Sequence, residues 1–108
     1  MRNSSMVEKI IYHAEKAIKY CATVSEQSDF FSNPMLVESC VFNLIQIGEI
    51  TNKLDDVFKD EQTNISWHAL YGLRNRIVHD YDGVNLNLVW DIIQDDLPEL
   101  IINLRALL

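Results

Sequence analysis

Apolar residues recur at intervals of three and four along most of the 108-residue chain, which is the spacing of amphipathic helices. The first run predicts a helix over residues 6–24, with Ser5 as the N-cap and Glu8 three positions later completing a capping box. Residues 1–5 are expected to be disordered. The polar stretch over residues 25–33, SEQSDFFSN, interrupts the pattern and predicts a loop.

The second helix is predicted over residues 34–57. Asn33 is the expected N-cap, and Pro34 suits the first turn, where its missing N–H costs nothing. The apolar stripe of this helix is wide enough for burial against two neighbours. The stretch FKDEQTN, residues 58–64, predicts a polar connector.

Two further helices complete the pattern. The third is predicted over residues 67–80. Asn85 or Asn87 is expected to cap the fourth, in which Pro98 predicts a kink or a restart near residues 95–97. The chain is therefore expected to form one all-α domain, a four- to five-helix antiparallel bundle spanning residues 1–108.

Composition agrees with a single small globular domain. Hydrophobic residues make up 48% of the chain and charged residues 23%, and no apolar run approaches the length of a signal peptide core or a membrane span. These features predict a cytoplasmic protein that does not enter a membrane. Cys21 and Cys40 are expected to be buried thiols because nothing in their spacing suggests a metal site. The net charge of −7 argues against non-specific coating of nucleic acid and leaves room for a small basic cleft.

The third helix has an unusual arginine. On an ideal helical wheel with Trp67 at zero, Arg74 falls at about 340°, inside the arc of apolar residues. A guanidinium in such an arc needs a carboxylate, a subunit boundary or a bound anion to offset its charge. His79 falls near 120°, beside Asn75 at about 80°, while Tyr81 returns to the side of Arg74. The predicted helix therefore places a guanidinium that could bind an anion, an imidazole, an amide and a phenol along one edge.

This set of groups suits few reactions. The sequence has no carboxylate pair that argues for a glycosidase, no zinc-binding spacing and no glycine-rich nucleotide loop. Cleavage of RNA needs none of them, because the 2′-hydroxyl of the substrate is the nucleophile, and the protein must supply a proton shuttle and a cation. From spacing alone, the favoured interpretation is a structural one, with Arg74 in an interhelix salt bridge and His79 on a solvated face.

Several blocks of the sequence resemble HEPN-superfamily proteins, specifically the HepT-like ribonuclease toxins. The segment LRNRIVHDYDGVN resembles their signature of arginine, a polar residue, three further residues, histidine, any residue and tyrosine. VFNLIQIGEITNKL resembles their second helix, with Ile50 where alanine is usual. ISWHALYGL includes a tryptophan before the motif, and VNLNLVWDIIQDDLPEL resembles the last helix. The resemblance covers about residues 6–107.

The resemblance implies a homodimer whose two motifs face one cleft and cleave RNA without a metal or cofactor. Arg74 would bind the scissile phosphate, His79 would act as general acid and base, and Asn75 would orient one of them. Tyr81 aligns with a tyrosine that the cognate antitoxin, a minimal nucleotidyltransferase of the MntA type, modifies with AMP in some members. The alternative is a non-catalytic helical adaptor that holds substrate for such a nucleotidyltransferase, which the acidic charge would suit.

Overall fold

The computed structural model describes residues 2–79 and 83–108, and it confirms the predicted all-α fold. None of the described helices is long and apolar enough to cross a membrane. The elements in chain order are α1 (Arg2–Cys21), α2 (Gln27–Phe31), α3 (Pro34–Lys53), α4 (Asp56–Glu61), α5 (Trp67–Tyr71), α6 (Leu73–Ile77), β1 (Val78–His79), β2 (Gly83–Val84), α7 (Leu86–Asp91), a π-helical segment (Ile92–Asp96) and α8 (Leu97–Arg105).

Helices α1 and α3 form the main packing pair and run antiparallel. At one end the Arg2 guanidinium donates to the carbonyl of Lys53, and farther along the thiol of Cys40 contacts the carbonyl of Ala17. The start of α3 follows the prediction, since the Asn33 side chain accepts a hydrogen bond from the Leu36 N–H. The buried face of α1 consists of small and branched residues that let the two helices approach closely: Val7, Ile10, Ile11, Ala14, Ala17 and Cys21.

The C-terminal helices cover the other side of α1. Arg105 on α8 pairs with Glu15 at 2.7 Å, and Gln94 in the π-helical segment reaches the Cys21 sulfur at 3.4 Å. Asn85 caps α7 by accepting from the Leu88 N–H, as one of the two predicted caps. The expected disturbance near Pro98 is also confirmed, because α8 restarts at Leu97 after the π-helical segment. Widening the helix there accommodates a proline that has no N–H to donate.

Several local predictions were wrong. Helix α1 begins at Arg2, so residues 2–5 are helical and Ser5 lies inside the helix rather than at its cap. Tertiary contacts at the end of α3 hold this first turn, since the Arg2 guanidinium and the Asn3 amide both reach the Asp55 carboxylate. Local sequence gives no sign of such long-range contacts.

The other errors concern the two connectors and the end of α3 between them. Residues 25–33 contain helix α2, whose Phe30 is fully buried and packs against Trp90 with ring centroids 5.5 Å apart. Helix α3 ends at Lys53 rather than near residue 57, because Leu54 turns to extended backbone and buries its own side chain. The predicted polar connector is then partly helical, as α4.

Gly48 sets the distance between α3 and α5. A Cβ atom at this position would lie 2.9 Å from the carbonyl oxygen of Leu70 and 3.4 Å from that of Tyr71. The backbone of α5 therefore rests directly against α3. The segment after α5 contains the arginine and histidine of the predicted motif. This contact between α3 and α5 fixes where that segment begins.

We expect Gly48→Ala to lower the free energy of unfolding by about 1–2 kcal/mol. This is a net effect, because the steric cost of the added Cβ against α5 exceeds the gain from the higher helix propensity of alanine. Gly72→Ala is the matched control, because a Cβ there has its nearest neighbour at an ordinary 3.5 Å. Chemical denaturation monitored by circular dichroism measures both variants. Equal stability of Gly48→Ala and the wild type would show that α5 can move away from α3 without loss.

Candidate active site

Arg74 lies on α6 and is exposed, as is the neighbouring Asn75. The side chains that fasten α6 to the core are Leu73 and Ile77, which are both buried and lie one turn apart. None of the ion pairs between described residues involves Arg74. The guanidinium is therefore presented to solvent from an anchored helical turn.

The exposed position of Arg74 differs from the one that the helical wheel predicted. The third helix was expected to continue over residues 67–80 with Arg74 on its apolar arc, but it breaks at Gly72 and ends at Ile77. The break shifts the phase of the second half, so an angle counted from Trp67 does not apply to Arg74. The predicted interhelix salt bridge is likewise absent among the described residues.

His79 belongs to a strand rather than a helix. Val78 has extended backbone (φ −111°, ψ 122°), which β-branched residues favour, and β1 pairs antiparallel with β2. The register places His79 opposite Gly83, and the Asn85 N–H donates to the carbonyl of Ile77 at 2.8 Å. The predicted placement of His79 about 140° from Arg74 on one helix was therefore wrong.

Glycine is required at position 83. Its φ of 77° lies in the left-handed region, which side chains with a Cβ rarely adopt. The backbone of His79 is thus fixed by strand pairing directly after the helix that holds Arg74 and Asn75. Tyr81, the predicted modification site, lies outside the described residues.

The two cysteine thiols are less accessible to solvent than Arg74 and Asn75. Cys21 and Cys40 are free and buried, as predicted. Burial raises the pKa of the Cys40 thiol to about 12, helped by the nearby Cys21, and burial also raises the pKa of Cys21. Both thiols stay protonated at neutral pH and make poor nucleophiles. Within residues 2–79 and 83–108, no group of three or more His, Cys, Asp or Glu is placed to hold a metal ion.

Arg76 serves a different surface. It lies about 200° around α6 from Arg74 and lines a cavity of about 330 Å³ together with Asp96 and Glu99 near the π-helical segment. Arg74 does not line this cavity. The two arginines of the LRNR segment are therefore separated, and Arg76 provides an internal comparison for Arg74.

A second group of polar and aromatic side chains, which the sequence analysis did not single out, lies between α1 and α3. His13 is half-buried, and its Nδ1 lies 2.8 Å from Oδ1 of Asn43, which is only 3% exposed. The Lys16 ammonium donates to the Tyr12 hydroxyl at 3.0 Å. The hydroxyls of Tyr12 and Tyr20 raise the pKa of Lys16 above its usual value. An asparagine within the apolar stripe of α3 was the available sign of this arrangement.

Comparison with known proteins identifies the family. The family model described as "Ribonuclease HepT-like" matches residues 10–107. The chain is 31% identical over 94 residues to a protein of Caldanaerobacter subterraneus subsp. tengcongensis named "Putative RNase TTE0752", covering 87% of this chain and 83% of that protein. It is 28% identical over 91 residues to "Putative RNase MJ1380" of Methanocaldococcus jannaschii, covering 84% and 83%.

A shorter match, 30% identical over 54 residues, relates the chain to "Probable ribonuclease HepT" of Thermococcus cleftensis, with coverage of 50% of this chain and 49% of that protein. No solved structure matches the chain. The family match extends over both the helical scaffold and the segment with Arg74 and His79. The chain therefore belongs to the HepT-like ribonuclease family.

Proposed function

We propose that this protein is a toxin that cleaves RNA without a metal ion or cofactor, using Arg74 and His79. The observation that supports this most strongly is the placement of Arg74. Its guanidinium is exposed, makes no ion pair among the described residues, and lies one helical turn before a strand that fixes the backbone of His79.

The proposed reaction is a transesterification followed by hydrolysis. His79 takes the proton of the 2′-hydroxyl, the 2′-oxygen attacks the adjacent phosphorus, and the bond to the 5′-oxygen breaks as that oxygen receives a proton from an imidazolium. Arg74 binds two non-bridging oxygens of the phosphate with its planar fork and stabilises their growing charge. Asn75 supports the phosphate or the imidazole. The products have a 2′,3′-cyclic phosphate, or its hydrolysed form, and a 5′-hydroxyl.

The site is proposed to form in a symmetric homodimer, with the motifs of two protomers facing one cleft. The premise that Arg74 lies on an apolar arc does not support this, because the residue is exposed. Support comes from the family resemblance and from small size, since an exposed turn and a two-residue strand pair offer one protomer little surface to enclose RNA. The second protomer would supply the opposite wall.

Regulation is proposed to act at Tyr81. This tyrosine follows His79 by two residues, and an MntA-type nucleotidyltransferase antitoxin would transfer AMP to its hydroxyl. Each transfer would add a phosphate charge and an adenine close in sequence to Arg74. The added group would occupy the anion site and repel the RNA backbone.

We expect Arg74→Ala and His79→Ala each to lower the rate of RNA cleavage by about 10²–10⁴-fold and to abolish growth arrest on expression. Arg74→Lys should recover only part of the activity, because an ammonium cannot reproduce the bidentate fork. Arg76→Ala is the matched control on the same helical turn and should retain activity. Cleavage of a labelled oligoribonucleotide, with circular dichroism to verify folding, measures all four.

An oligonucleotide with a 2′-deoxy sugar at the cut site should be inert in the same assay. If the folded His79→Ala protein cleaved RNA at the wild-type rate, the assignment of His79 would be wrong. Growth arrest that persisted in a folded alanine variant would likewise show that the site assignment is wrong, whereas a wild-type protein that caused no growth arrest would favour the adaptor.

We expect co-expression with its nucleotidyltransferase partner to add mass in multiples of AMP to the wild-type chain, and none to Tyr81→Phe, which lacks the acceptor hydroxyl. Tyr71→Phe is the control, since its exposed side chain lies outside the motif. Intact-mass spectrometry reads all three proteins. Modification of the Tyr81→Phe chain would place the acceptor elsewhere.

A further inference from the structure

We propose that the groove between α1 and α3 binds a nucleotide of single-stranded RNA, at a subsite separate from the phosphate site at Arg74. The groove has a volume of about 510 Å³, which is ample for one nucleotide, and its walls include Tyr12, His13, Lys16 and Phe42. Arg74 does not line it. This inference rests on the proposed function, because it assumes that RNA is the ligand.

Exposed aromatic rings are the first reason. Phe42 is 57% exposed and Tyr12 is 54% exposed, although rings of this size usually pack into a core. The ring of His13 lies between them, edge to face with both, at centroid distances of 5.2 Å to Tyr12 and 6.4 Å to Phe42. Rings held by their neighbours at a groove wall are the platforms on which bases stack in single-stranded nucleic acid sites.

The orientation of His13 is the second reason. The amide of Asn43 donates through Nδ2 to the carbonyl of Ser39 at 2.8 Å, so its Oδ1 faces His13 and can only accept. Nδ1 of the imidazole must therefore carry the proton, and Nε2 is an acceptor in the neutral ring. Nε2 makes no hydrogen bond within the described part of the chain. It can accept from an amino or imino group of a base.

Charge is the third reason. Helix α1 contains four basic and two acidic residues in a protein whose net charge is −7. One of these acids, Glu15, is already paired with Arg105, whereas Lys9, Lys16 and Lys19 take part in no ion pair between described residues. Glu38 also lines the groove and disfavours a phosphate on the α3 side. The phosphates are therefore expected along α1, with the base stacked on the exposed ring of Phe42.

The test measures binding of a fluorescein-labelled octaadenylate with 2′-O-methyl sugars, which the proposed nuclease cannot cleave. We expect Phe42→Ala to weaken the Kd by about tenfold, because a stacked base is lost, and Phe42→Trp to restore binding. Lys16→Gln should weaken binding and reduce the slope of log Kd against log salt by about 0.7, the loss of one phosphate contact. Val57→Ala is the control, because Val57 is also an exposed apolar residue but lies on α4, outside the groove.

Unchanged affinity in Phe42→Ala and Lys16→Gln would overturn the subsite, and so would failure of the wild type to bind the octamer. Light scattering distinguishes a protein occupant: a halved mass in Phe42→Ala would show that a second copy of the chain covers this face, which also overturns the proposal. The two proposals fail separately. Cleavage that depends on His79 but not on Phe42 would refute only the groove, and Phe42-dependent binding without cleavage would refute only the nuclease.

Discussion

The close contact between α3 and α5 at Gly48 is the constraint on which the site depends. With the Leu70 carbonyl 2.9 Å from where a Cβ would stand, α5 can lie against α3 only because position 48 has no side chain. Gly72 then ends α5, and Leu73 and Ile77 insert into the core to anchor α6. Arg74 and the strand with His79 follow from that anchor. The short segment with the proposed catalytic residues is thus held by a large helical scaffold, as precise chemistry would require.

The structure separates what local sequence determines from what tertiary contacts determine. Asn33 and Asn85 were predicted as caps because a side-chain oxygen needs only an N–H three residues on, and both caps are present. The start of α1 was mispredicted because its first turn is held by Asp55, fifty residues away. The position of Arg74 on the helical wheel was predicted wrongly for another reason. The spacing of apolar residues does not reveal a one-residue break at Gly72 or a strand that begins at Val78.

Sequence predicted the family better than the geometry of the candidate site. The family match confirms the resemblance that drew attention to Arg74 and His79. The roles of these two residues stay a proposal. The groove between α1 and α3 was missed, since His13 and Asn43 are thirty residues apart and only packing joins them. The acidic net charge also becomes easier to interpret. The lysines of α1, which form no ion pair with any residue that the structure describes, and the exposed Arg74 give an acidic protein local surfaces that suit a phosphate backbone.

The central claim is that RNA supplies its own nucleophile and that His79 and Arg74 supply the proton transfer and the charge. The most direct measurement is the chemistry of the ends of the cut RNA, determined by mass spectrometry after digestion in excess EDTA. We expect a 2′,3′-cyclic phosphate or its hydrolysed form on one fragment and a 5′-hydroxyl on the other. Fragments with 5′-phosphate ends, formed only when magnesium is restored, would contradict the account.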